Sequence, residues 1–236
     1  RALCIVMYAE LQVTSNFSFL RGGSHPNELV ATSYVRGHAA IAITDRNSFA
    51  GIVRAYREAK HIRETDKNTP FRLIVGVRLD LEDGYSLLAY PTDREAFGRL
   101  CTLLSLGKMR AEKGDCHLDF EDVKDHCRGS IFALIPPSSI RQAEINHLGQ
   151  MAKALPKPVY LVASAPYRGE DRAHIARLNN LATQLGVRLL ASNNVLYHEA
   201  ERRDLQDVLT CIREKTTIDK AGFLLKANAE RHLKSR

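Results

Sequence analysis

The feature that most constrains this chain is an alternation. Short apolar runs that lack strict period-two patterning are each followed by longer amphipathic stretches. "MYAELQV" precedes "HPNELVATSYVRG", and "AAIAITD" precedes "SFAGIVRAYREAKHI". "RLIVGVRLDL" and "YSLLAY" lead into "TDREAFGRLCTLLSLGKM". Further on, "SIFALIP", "PVYLVASA" and "VRLLASNN" are each followed by a helix-like segment, the last of them "EAERRDLQDVLTCIRE". Strands apolar on both faces belong to sheets covered by helices, which is the setting of parallel pairing. About six strand–helix units in one length predict an α/β fold, either a barrel or a doubly wound sheet. Ser24 with Pro26, and Thr92-Asp93 with Glu95, mark helix starts. The polar stretch "RETDKNTP" at 63–70 is the candidate internal break, and the chain reads as a single domain over 1–236.

With 236 residues, 44% of them hydrophobic, the chain can bury a full core. No apolar run reaches the length needed to span a bilayer. "ALCIVMYA" lacks a cleavage site and reads as a strand rather than a signal peptide. The cysteines Cys4, Cys101, Cys116, Cys127 and Cys211 are odd in number and dispersed, which predicts reduced thiols and a cytoplasmic location. A net charge of +7 and a pI near 9.2 favour polyanion partners, although the distribution of charge matters more than its sum. The chain opens on an arginine and closes in "AERHLKSR", and is expected to be a piece of something longer.

In parallel α/β folds, chemistry collects at the carboxyl ends of strands. The first such end carries Glu10, Gln12 and Thr14 on one face, then Ser15, Asn16, Ser18 and Arg21. The second carries Thr44, Asp45, Arg46 and Asn47, and the third Arg78 and Asp80. The last carries Ser192, Asn193, Asn194, Leu196, Tyr197 and His198.

A polar-x-polar strand end, a serine-rich turn, "ITD" plus one residue, "GV" plus one residue and a closing "ASNNV-Y" resemble the polymerase and histidinol phosphatase (PHP) family. "SNFSFLRGGSHPNELV", "LGKMRAEKG" and "LQDVLTCIREKTTID" are similar to the amino-terminal PHP domain of bacterial C-family DNA polymerases, in the error-prone, α-subunit-like branch. The resemblance covers essentially the whole chain. It implies a distorted seven-stranded α/β barrel whose top, in that family, cages two or three metal ions.

This sequence departs from the family pattern at the ligand positions. Gln12 and Thr14 stand where the family has His-x-His, and Arg21 where it has an acid or histidine in the first turn. Arg46 replaces the histidine of Thr-Asp-His, and Arg78 the glutamate of Gly-x-Glu. Asn194 and Leu196 replace the closing aspartate and histidine. Imidazoles and carboxylates bind divalent metals through lone pairs, whereas a guanidinium is always protonated and has none to give. Three fillings of the former metal volume stay open. Arg21, Arg46 and Arg78 could converge with Glu10, Asp45 and Asp80 as a salt-bridge cluster. The arginines could instead hold a phosphate, or a single metal could persist on Glu10 and Asp45.

Other features carry less. Cys116-His117 and His126-Cys127 offer zinc donors at a spacing that points adjacent side chains apart. His25 reads as a helix-cap residue, and His198 as a packing or hydrogen-bonding residue near the pocket. No G-x-S-x-G elbow or Walker loop is present, and Gly22-Gly23 reads as a turn. Lys108, Arg110 and Lys113 read as a solvated face or a phosphate-backbone contact. Leu205, Val208, Leu209 and Ile212 form one helical stripe, expected to face the barrel.

The resemblance implies a parent chain that synthesises DNA across damage, with magnesium held in a polymerase domain outside these residues. For this domain it implies a scaffold with no catalytic residue and no metal of its own. Residues from about 218 are expected to begin the connection to the following domains. The implied partners are those domains, DNA through the parent chain, and accessory mutagenesis or clamp-associated proteins, with no membrane. A working phosphoesterase or 3′→5′ exonuclease is the rival reading, and a docking module the third.

Overall fold

The computed structural model describes residues 7–137 and 139–235. The expectations for Cys4 and for the first part of the opening apolar run lie outside the described residues. In order the elements are β1 (Ala9–Val13), α1 (Pro26–Val35), β2 (Ala40–Ile43), α2 (Ile52–Thr65), β3 (Arg72–Val75), β4 (Val77–Asp80) and β5 (Ser86–Pro91). They continue with α3 (Arg94–Met109), α4 (Phe120–His126), β6 (Ser130–Ile135), α5 (Gln142–Ala154), β7 (Val159–Ala163), α6 (Asp171–Leu185), β8 (Arg188–Ala191), α7 (Arg203–Arg213) and α8 (Ile218–Ala221). Packing gathers them into two compact units.

The first unit takes the described residues up to Asp45, Ala50–Val75, and Asn193 onward. Its sheet is parallel, in the order β1-β2-β3. All four residues of β2, "AIAI", are buried, as strands covered on both faces require. α2 turns Ala55, Ala59 and Ile62 inward at helical spacing, against Ile41, Ile43, Leu29 and Val30. The stretch 63–70 lies inside this unit, since α2 runs on to Thr65. The segment after 218 is packed into it as well. Leu233 is buried in the same core, Leu196 N donates to Arg231 O at 2.9 Å, and Asn193 Nδ2 donates to Glu230 O at 2.9 Å.

The second unit takes Arg46–Phe49 and Gly76–Ser192. Its sheet runs β4-β5-β6-β7-β8, with β4–β5 and β5–β6 antiparallel and β6–β7 and β7–β8 parallel. Leu79, Leu87, Phe132 and Leu161 of the sheet pack with Leu100 and Leu103 of α3, Met151 of α5 and Leu181 of α6.

An α/β fold with mostly parallel strands is therefore observed. The expected seven-stranded barrel is corrected in count and pairing, because the described residues hold eight strands in two sheets. "RLIVGVRLDL", read as one strand, breaks at Gly76. β3 pairs in parallel with β2, whereas β4 turns through "LEDGY" to run antiparallel to β5. Ser24 is corrected as a helix start. His25 takes the cap position before Pro26, and its backbone N donates to Glu28 Oε2 at 2.8 Å. Asp93 caps α3, accepting from Ala96 N at 2.7 Å.

The largest correction concerns α7, whose apolar stripe faces outward. Leu205, Val208 and Ile212 are exposed, while Gln206, Asp207, Thr210 and Cys211 are buried. The polar face is the docked one because a loop offers it carbonyls. Gln206 Nε2 donates to Arg21 O at 2.9 Å, and Arg213 Nη1 to Leu20 O at 2.7 Å. Ile212→Ser is therefore expected to change unfolding free energy by less than about 0.5 kcal/mol in urea denaturation. Phe132→Ala, in the second unit's core, is expected to cost about 3–5 kcal/mol. A loss above about 1.5 kcal/mol at Ile212 would contradict the outward orientation.

Candidate functional site

The polar row of β1 is buried. Glu10, Gln12 and Thr14 are 1%, 2% and 4% exposed. A parallel bridge joins Val13 to Val195. Thr14 N donates to Val195 O and Val195 N to Gln12 O, each at 2.9 Å. This lays Gln12 and Thr14 beside Asn194 and Leu196, so four of the seven matched positions meet in the first unit. Asn194 sits at φ 48°, a left-handed conformation that asparagine tolerates better than most residues. Glu10 accepts from Tyr8 Oη at 2.7 Å, Gln12 N at 3.0 Å and Asn193 N at 3.0 Å.

Asp45 follows β2 and is almost fully buried. Its Oδ1 accepts from Ser15 N at 2.8 Å and Ser18 Oγ at 2.7 Å, and its Oδ2 from Ser15 Oγ at 2.7 Å. Burial pushes the pKa of Asp45 above 3.8, against the opposing pull of these serine hydroxyls and amides. Gly51, at the start of α2, has to be glycine here, since a Cβ would lie 2.5 Å from Asp45 Oδ2. Arg21 closes the same serine turn, with its N donating to Ser18 O at 2.8 Å.

In the second unit, a parallel bridge sets Arg46 beside Arg78. Both converge on Asp80. Arg46 Nη1 reaches Oδ2 at 2.7 Å, and Arg78 Nε reaches Oδ1 at 2.6 Å. Ser86 Oγ donates to Oδ1 at 2.6 Å and accepts from Arg78 Nη2 at 3.0 Å. Asn47, at φ 45°, extends the bridge. Its backbone N donates to Arg78 O at 2.8 Å, and its Oδ1 accepts from Asp80 N at 3.0 Å. Burial alone would raise the pKa of Asp80, but Arg78, Arg46 and the Ser86 hydroxyl outweigh it and hold the carboxyl below 3.8.

Within the second unit Asp80 takes Arg46 and Arg78, and within the first Asp45 accepts from serine donors and Glu10 from Tyr8 and two backbone amides. Sequence reasoning missed Ser86 and Tyr8. The first was legible from "EDG" at 82–84, because a hairpin centred there sets Asp80 opposite Ser86. His198 holds Ser24, with Nδ1 and Ser24 Oγ 2.7 Å apart. The zinc candidates do not gather. His117 meets Glu82, His126 meets Asp122 O, and Cys127 meets Lys124 O. Among the described residues, no three His, Cys, Asp or Glu are placed to hold a metal ion. Lys108 and Lys113 are exposed, and Arg110 pairs with Asp122 at 2.7 Å.

With these strand ends in place, comparison with known proteins is informative. The model of the PHP domain family matches residues 10–183. This chain belongs to the PHP domain family. An error-prone DNA polymerase from Caulobacter vibrioides is 50% identical over 230 residues, covering 97% of this chain and 21% of that protein. The chain thus spans about a fifth of the length of the curated relatives it matches. A protein assigned as a metal-dependent phosphoesterase from Bifidobacterium adolescentis superposes with a TM-score of 0.58 at 12% identity, covering 80% of this chain and 87% of its own. A lesion-specific endonuclease from Pyrococcus furiosus gives 0.51 at 8% identity, covering 80% of this chain and 48% of its own. At such identities the likeness is one of fold.

The two aspartates are expected to titrate in opposite directions. In a carboxyl-detected NMR titration, Asp80 should titrate below 3.8 and Asp45 above it, and the reverse order would contradict the pairings. The depressed pKa of Asp80 contributes stability that is present above pH 3.8 and lost as pH falls through its folded value. The raised pKa of Asp45 acts oppositely, favouring the fold in acid and weakening it as pH rises through the folded value. Asp80→Ala leaves two guanidiniums face to face and is expected to cost about 2 kcal/mol at neutral pH in urea unfolding. A cost under about 0.5 kcal/mol would contradict a structural role for the pairing.

Proposed function

We propose that this chain is the PHP region of an error-prone DNA polymerase, and that it serves there as a scaffold without hydrolytic chemistry of its own. One observation carries the scaffold reading: Arg46 and Arg78, at two of the matched ligand positions, both bind Asp80. A hydrolytic metal centre needs lone-pair donors and negative charge around an open coordination site. Guanidinium offers neither, and both oxygens of Asp80 are already occupied. Gln12 and Thr14 bring an amide and a hydroxyl where imidazoles would be needed, and Asp45 is enclosed by serine donors. This donor set does not fit a metal cage.

The polymerase reading is supported by 50% identity across 97% of the chain to a protein named as an error-prone DNA polymerase. In this reading, DNA synthesis in damage tolerance, with its magnesium, belongs to the remaining four-fifths of such a protein, and the location is cytoplasmic. The exposed apolar stripe of α7 supports packing against other domains of the same polymerase, with accessory mutagenesis or clamp-associated proteins as a second class of partner.

The test is direct. The metal-stripped chain is incubated with a 5′-labelled single-stranded oligonucleotide and added manganese, zinc or magnesium. The expected result is no nucleotide release from the 3′ end above an Asp45→Ala control. Manganese-dependent release that Asp45→Ala abolishes would overturn the scaffold reading.

A further inference from the structure

The strand-end acids leave unexplained a groove elsewhere in the first unit. It has a volume of about 720 Å3 and runs along α2 and β3, with Val53, Tyr56, Pro70 and Leu73 among its lining residues. The charged side chains that line it are Arg63 and Arg72, both exposed. Tyr56 is 53% exposed, and the Arg63 guanidinium carbon lies 5.9 Å from its ring centroid. A second arginine of the same helix, Arg54, lies 5.6 Å over the ring of Phe17 in the turn after β1. Arg54, Arg57 and Lys60 follow one another at three-residue intervals, all exposed. The carboxylates of α2 are Glu58 and Glu64, and Glu64 pairs with Lys60 at 3.7 Å.

We propose that this groove binds single-stranded DNA, with Tyr56 as a platform for an unstacked base and Arg63 and Arg72 as contacts to the flanking phosphates. The choice of ligand follows from the combination. Guanidiniums beside an apolar floor suit a polyanion, and an exposed ring suits one whose flat faces are free to stack. A duplex hides those faces, and an acidic peptide supplies the charge without them. That the polyanion is DNA rests on the polymerase reading above.

The experiment is fluorescence anisotropy of a labelled oligothymidylate with the chain over a range of salt concentrations. Tyr56→Ala is expected to weaken binding about tenfold, as removal of one base–ring stack requires. Arg63→Ala with Arg72→Ala should reduce the slope of log affinity against log salt by about 1.4, since each phosphate left without its guanidinium accounts for about 0.7. Lys153→Ala, exposed in the other unit, should leave both unchanged. The substituted side chains are exposed, and the salt slope reports phosphate neutralisation, which a purely structural change would not alter. The proposal is overturned if the unmodified chain does not bind at low salt, or if Tyr56→Ala binds as tightly as the unmodified chain. It is also overturned if polyglutamate of matched charge displaces the oligonucleotide equally well. Each of these failures leaves the polymerase reading standing on its sequence identity, and the scaffold reading on its own nuclease test.

Discussion

A carboxylate taken out of water must find donors, and the three acids at these strand ends find them within their own units. Asp80 is gripped by two guanidiniums and a hydroxyl, Asp45 by two serines, and Glu10 by a tyrosine and two backbone amides. Half of these pairings are long-range in sequence, and they tie separate strand ends together. The serine turn after β1 is tied to the end of β2 through Asp45, and Asn47 and Arg46 are tied to β4 through Asp80. Hydrogen bonds and ion pairs thus occupy the strand ends of a chain whose fold is like that of a protein assigned as a metal-dependent phosphoesterase.

Much of this was legible in the sequence, and the failures have physical causes. Runs such as "AIAI" and "SIFALI" declared strands buried on both faces, and the structure buries β2 throughout and β6 nearly so. The structure places Gln12 and Thr14 beside Asn194 and Leu196, and Arg46 beside Arg78. The break at Gly76 was not legible, because one apolar run serves two sheets and only the identity of its partner strands divides it. On α7, the periodicity holds and the expected direction is reversed. An amphipathic stripe says that two faces differ, not which one docks, and here a turn with free carbonyls captured the polar face. Ser86 was missed because its role follows from hairpin register, which becomes legible only when "EDG" at 82–84 is read as the turn between two strands.

The two surfaces of functional interest differ in kind. The strand-end acids are buried or half-buried and held by hydrogen bonds and ion pairs. The groove on α2 presents its arginines and ring to solvent, and α7 presents an unpartnered apolar stripe.

On the proposed scaffold reading, arginine and serine have taken over the acids that a metal centre would need. Manganese binding by the purified chain, followed by isothermal titration calorimetry and elemental analysis, tests it most directly. It is read beside a variant carrying Gln12→His, Thr14→His, Arg46→His and Arg78→Glu. The unmodified chain should retain less than about a tenth of an equivalent, and the variant measurably more. Retention of about one equivalent or more by the unmodified chain, lost on Asp45→Ala, would contradict the claim.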